Sequence, residues 1–138
     1  MRRFSIVLLL AVMAAVVGCS ADTSATPSPT NSVAAAVRQL DPAQFAAELP
    51  HRMTVNVHVP DEGSLPDTDL ALPYNRIADL QSQLPPDRAT PIAIYCMTGH
   101  MSAIAGRTLT GLGYTDVVEL RGGMQAWRAA GLLLVPAA

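Results

Sequence analysis

The chain has 138 residues, with nine basic residues (all arginine), eleven acidic ones and a net charge of −2. That length suits one compact domain and not two, and the lack of any basic cluster excludes nucleic acid as a partner. Its two cysteines, Cys19 and Cys96, are not spaced as a Cys-x-x-Cys redox couple.

Arg2 and Arg3 open the chain, and an apolar stretch from Ile6 to Val17 follows, too short to span a membrane as a mature helix. It ends in Val16-Val17-Gly18-Cys19, with small Gly18 just before the cysteine. This pattern resembles the lipobox of bacterial lipoproteins, which implies a signal peptide over 1–18 and a lipidated Cys19 as first mature residue. Residues 19–32, rich in Ser, Thr and Pro, then read as a disordered linker with almost nothing to bury. Export to an extracytoplasmic site, tethered to a bacterial membrane through the lipid, is the expectation. The domain is expected over 33–138, as a monomer, and the chain from Ser20 onward has a net charge of −4.

Within the domain, Asp41-Pro42 sets an N-cap acid before a proline and predicts a helix to about Leu49. Residues 53–59 alternate and are rich in β-branched side chains, which predicts a strand. Residues 60–66 read as loop, and 70–72 as a short strand. Ile77, Leu80 and Leu84 recur at helical spacing, predicting a helix over 75–84 that Pro85-Pro86 ends. Residues 92–95 are wholly apolar, as in a buried parallel strand. A helix over 102–112 follows, ended by Gly111 or Gly113, then a strand over 117–120, a Gly122-Gly123 turn and a helix over 124–130. Alternating strands and helices predict an α/β domain with a mainly parallel sheet of about five strands flanked by helices.

Cys96 stands where the strand 92–95 breaks into the loop Met97-Thr98-Gly99-His100-Met101 before a helix. Ligands in parallel sheets sit at the carboxyl ends of the strands. Loop amides and a helix N-terminus both favour negative charge there, so the layout is that of a thiolate nucleophile. If Cys19 carries lipid, Cys96 is the one thiol left, and a lone thiol in an exported chain points to a reactive group.

Three stretches then carry a resemblance: Tyr95-Cys96-x-x-Gly99-x-x-Ser102-Ala103, Leu112-Gly113-Tyr114-x-x-Val117, and Leu120-x-Gly122-Gly123-x-x-x-Trp127-x-x-x-Gly131. Together they resemble the rhodanese-like domains of the sulfurtransferase family. Val55-Asn56-Val57-His58-Val59-Pro60 with Pro73-Tyr74 resembles an exported single-domain branch of it, though Asn56-Val57-His58 stands where many members have Asp-Val-Arg. The resemblance implies a persulfide cycle with Cys96 as nucleophile. It also implies a cradle of backbone N–H groups from Met97, Thr98, Gly99, His100, Met101 and Ser102, with Gly99 allowing the tight curl and Ser102 capping the helix.

Where active members carry Arg or Lys in this loop, the chain has Met97, His100 and Met101, which shifts the expected donor from thiosulfate toward a neutral or protein-borne persulfide. Ser102 occupies the position where a Cys-x₅-Arg phosphatase needs arginine, which argues against that chemistry and against arsenate reduction. Trp127 and Met124 read as core, Asp61 and Glu62 as a solvated loop, Arg107 as solvent-facing, and His58 as a turn residue more than a contact to the active loop. The expected activity is sulfur transfer from thiosulfate or a persulfide to a small or protein thiol acceptor, with no metal or organic cofactor. The alternatives are an inactive binding module on the same fold and a thiol redox capture protein.

Overall fold

The computed structural model describes residues 36–137. The expected signal peptide, Cys19 and linker therefore lie outside the described residues. Five strands form one parallel sheet in the order β1-β5-β4-β2-β3. They are β1 (Arg38–Leu40), β2 (Met53–Asn56), β3 (Leu70–Ala71), β4 (Ile92–Tyr95) and β5 (Val117–Leu120). Three helices join them: α1 (Pro42–Glu48), α2 (His100–Gly111) and α3 (Gly123–Ala129).

β4 is the middle strand, paired with β2 on one side and β5 on the other, and all four of its residues are buried. Its alternate side chains enter opposite layers, as the two-residue strand period requires. Ile92 and Ile94 join Cys96, Ala105 and Leu109 under α2, while Ala93 and Tyr95 join Phe45, Met124 and Trp127 under α1 and α3. Phe45 and Trp127 meet edge to face at 6.5 Å, which locks α1 against α3. A sheet covered on both faces explains why β4 reads as a continuous apolar run.

The structure corrects four expectations about elements. Residues 75–84 form successive turns with a 3₁₀ turn at Gln81–Gln83, not a helix. Leu80 has φ −103° and ψ 19°, and the closing bonds mix Leu80 N–H to Arg76 O with Gln83 N–H to Leu80 O. The apolar spacing still orients the segment, since Ile77 and Leu84 are buried. β2 stops at Asn56 and not at 59, because the Asn56 side chain turns the chain by accepting the His58 N–H and donating to Gly63 O. α2 begins at His100, two residues before the expected start. β1 had no sequence signal: its three residues, Arg38-Gln39-Leu40, bury only Leu40 and hold the sheet edge by pairing with β5.

Candidate active site

Cys96 follows β4 directly and is 1% exposed. The loop after it is fastened from the α3 side, where Met124 N–H donates to Cys96 O at 2.8 Å and Gln125 N–H to Met97 O at 3.0 Å. This approach is close enough to demand glycine. Gly123 has φ +61°, and a Cβ there would collide with Cys96 O and lie 2.6 Å from the Met97 carbonyl. The Gly122-Gly123 turn of the sequence motif thus seats α3 on the cysteine loop.

Gly99, at φ +99°, is the N-cap of α2 and curls the loop back so that its N–H donates to Cys96 Sγ at 3.0 Å. His100, Met101 and Ser102 follow as the first helical residues, whose N–H groups have no acceptor within a helix. Gly99 is the residue of the 97–102 loop whose amide bonds the sulfur among the described residues. Thr98 and His100 are exposed, while Met97 packs partly buried against the α1–α3 layer and Met101 against the α2 layer.

Ser102 is not the helix cap, which corrects the expected role. It is fully buried in the first turn, and its Oγ donates to Glu119 Oε1 at 2.6 Å while lying 3.4 Å from Cys96 Sγ. Glu119 is 2% exposed in the interior of β5 and also accepts from Gln39 Nε2 at 3.2 Å, with no Lys or Arg paired to it among the described residues. A charged residue inside a strand buried on both faces was the available sequence signal for this residue, and it passed unread.

Tyr95 points into the opposite layer. Burial pushes its hydroxyl pKa above the ordinary tyrosine value, and the neutral hydroxyl accepts from Leu65 N–H at 3.0 Å and shares a 2.7 Å bond with Thr68. The His58 ring is engaged by Glu62, with Nε2 lying 2.5 Å from Glu62 Oε2. Asp61 accepts from Gly63 N–H in the same turn, and Arg107 is exposed. Trp127 and Met124 are core residues, with Trp127 Nε1 donating to Leu133 O. A cleft of about 500 Å³ between Leu49, Pro50, Arg52 and Trp127 is lined by none of the loop residues.

The rhodanese-like domain family model matches residues 37–130. A sulfurtransferase of Allochromatium vinosum is 36% identical over 96 residues, covering 67% of this chain and 87% of that protein. Among solved structures, a rhodanese-related protein of Thermoplasma volcanium superposes with a TM-score of 0.62 at 26% identity, covering 71% of this chain and 97% of the other. A rhodanese-like domain protein of Staphylococcus aureus gives 0.60 at 23% identity, over 74% of this chain and all of its own.

Proposed function

The chain belongs to the rhodanese-like domain family, and from that premise we propose that it transfers sulfane sulfur through a persulfide on Cys96. The observation that carries this reading is the sulfur itself, held at the carboxyl end of the central strand with the Gly99 N–H on it at 3.0 Å. In the first step the Cys96 thiolate attacks the outer sulfur of the donor. The sulfur–sulfur bond of the donor breaks, and sulfite or a thiolate departs with the electron pair. Cys96 then carries the added sulfur, and the terminal atom lies toward the α2 start, where the free N–H groups of His100, Met101 and Ser102 favour its negative charge. In the second step an acceptor thiolate attacks that terminal sulfur and restores the Cys96 thiolate. No second cysteine is needed.

The loop has no arginine or lysine to meet a dianion, so a persulfide of a small thiol or of a protein is the preferred donor over thiosulfate. Incubation of the protein with each donor, followed by intact mass measurement, should show one added sulfur atom on Cys96, formed faster from glutathione persulfide than from thiosulfate. Cys96→Ser should abolish it. An unmodified mass with both donors would leave the fold as a binding module.

The location of the activity follows from the N-terminal pattern. Val16-Val17-Gly18-Cys19 after an apolar stretch supports lipidation of Cys19 and tethering to a bacterial membrane outside the cytoplasm. Metabolic labelling with a fatty acid should mark the chain and move it to the membrane fraction. Cys19→Ser should lose both label and membrane association, and an unlabelled wild type sinks the assignment.

A further inference from the structure

We propose that Glu119 is a positioning residue that exchanges one proton with Cys96 through the Ser102 hydroxyl. The inference rests on Cys96 being the reacting thiol and adds how its proton is stored. Three buried groups stand in a row: Glu119 Oε1, Ser102 Oγ at 2.6 Å from it, and Cys96 Sγ at 3.4 Å from the hydroxyl. A serine has one proton to give and lone pairs to receive another. That proton has two acceptors in reach, Glu119 Oε1 at 2.6 Å and Gly99 O at 3.2 Å; the shorter bond to the carboxylate takes it, and the hydroxyl oxygen presents a lone pair to the sulfur.

The groups facing this row come from every neighbouring element. Among the described residues, β1 contributes Gln39 Nε2, the loop contributes the Gly99 N–H on the sulfur and the Gly99 carbonyl on the Ser102 hydroxyl, and α2 contributes Ser102 itself. None is a cation. An ionised Cys96 beside an ionised Glu119 would place two like charges in one buried site, which low-dielectric surroundings strongly oppose. The row resolves this with one proton. Cys96–SH and the Glu119 carboxylate become the Cys96 thiolate and the Glu119 carboxylic acid, while Ser102 passes its own proton to Glu119 and takes the thiol proton in exchange. The site keeps a single negative charge in both forms, so the nucleophile forms without a basic side chain in the loop. When the acceptor removes the sulfur, the reverse shift returns the proton to Cys96.

The test needs no sulfur donor, so its failure is separable from failure of sulfur transfer. The rate of Cys96 alkylation by iodoacetamide, a neutral probe, is measured between about pH 5 and 8. Because the two forms in exchange hold the same number of protons, the wild-type rate has a pH-independent plateau. Glu119→Gln keeps the shape and can still accept from Ser102 but cannot take a proton. Its rate should fall about tenfold for each unit by which the pH is lowered across the same range, as for an isolated thiol. Glu119→Leu, which likewise cannot take a proton, should behave in the same way and serves if Glu119→Gln does not fold. A purely structural role for Glu119 would scale the rate without removing a plateau. A wild type without a plateau, or a plateau retained in a folded Glu119→Gln or Glu119→Leu protein, overturns the proposal.

Discussion

Gly123 shows how narrowly a single residue holds the cysteine loop. Its backbone sits at φ +61° with the Met97 carbonyl where a side chain would begin, while the neighbouring Met124 and Gln125 amides bond the loop carbonyls. Gly123→Ala meets both a strained φ and an overpacked contact, each costing about 1 kcal/mol or more. The expected outcome is a less stable protein in urea unfolding and a Cys96 persulfide yield reduced at least severalfold, since the loop must shift away from α3. Gly122 invites the same reasoning with less force on the loop, because a Cβ there meets the Ala126 side chain and not the backbone of the cysteine loop. The signature glycines were legible in the sequence as a turn. That the second of them is a contact surface for Cys96 was not, because the two segments lie far apart in the chain and only packing joins them.

At the scale of elements, the α1–β2 connection is held by Arg52, whose side chain is nearly buried and bonds Glu48 at 2.7 Å and Asp116 at 2.8 Å. It ties the end of α1 to the start of β2 and to the lead into β5. The hydrogen bond from Arg52, followed by its charge and that of Arg38, holds the Glu48 carboxyl pKa below its ordinary value of 4.5. A carboxyl lowered in the folded state stabilises the fold above its unfolded pKa, and that contribution disappears as pH falls through the lowered value. Stability should therefore decline on acidification below about pH 4.5. In Glu48→Gln the decline should be shallower, with the two proteins differing most in urea midpoint near neutral pH and converging as acid protonates Glu48. A constant difference at all pH values would show that Glu48 acts through packing alone.

At this same scale the sequence reading was strongest where periodicity and caps agreed. β4, β5, α1 and α3 fall within a residue or two of their expected bounds. It failed over 75–84, where helical spacing served a chain of turns. Prolines at 73, 85 and 86 bound that stretch. Within it Leu80 leaves helical geometry at φ −103° and ψ 19°, so the i−4 bond of Leu80 to Arg76 gives way to i−3 bonds at Gln83 and Leu84. It failed also at β1, an edge strand of three residues whose identity comes from the partner it pairs with.

The whole molecule includes more than the segment matched by the family. Beyond residue 130 the tail returns across the domain: Leu132 and Leu134 pack on the α1–α3 layer, Leu133 O accepts from Trp127 Nε1, and Val135 pairs antiparallel with Ser64. That bridge joins the end of the chain to the loop that precedes β3. Deleting 132–138 would strip this cover, leave the Trp127 N–H without its partner and free the Ser64 loop. The loss is the apolar burial of Leu132 and Leu134 against the α1–α3 layer, at about 25 cal/mol per Å² of surface returned to water, and a domain of this size loses about 4–8 °C in Tm per kcal/mol. The truncated protein should melt at least several degrees lower in calorimetry. An unchanged Tm would mean that the tail is an ornament on an already complete core.

The position of Cys96 at the end of a buried strand was determined by the sequence itself. A wholly apolar strand, a cysteine, a glycine three residues later and a helix form a local signal, since strand, loop and helix start are set by neighbouring residues. The environment of that thiol was decided only by the tertiary structure. Glu119, Ser102 and Cys96 meet because β5 pairs with β4 in one register and α2 crosses the same face, so three residues spread over the chain share one buried row. Ser102 illustrates the difference: its sequence position suggested a helix cap, whereas burial beside a carboxylate turns its hydroxyl away from the backbone N–H groups and toward Glu119. Local pattern can place a cysteine at a strand end, but the polar groups around its sulfur are chosen by which strands lie side by side.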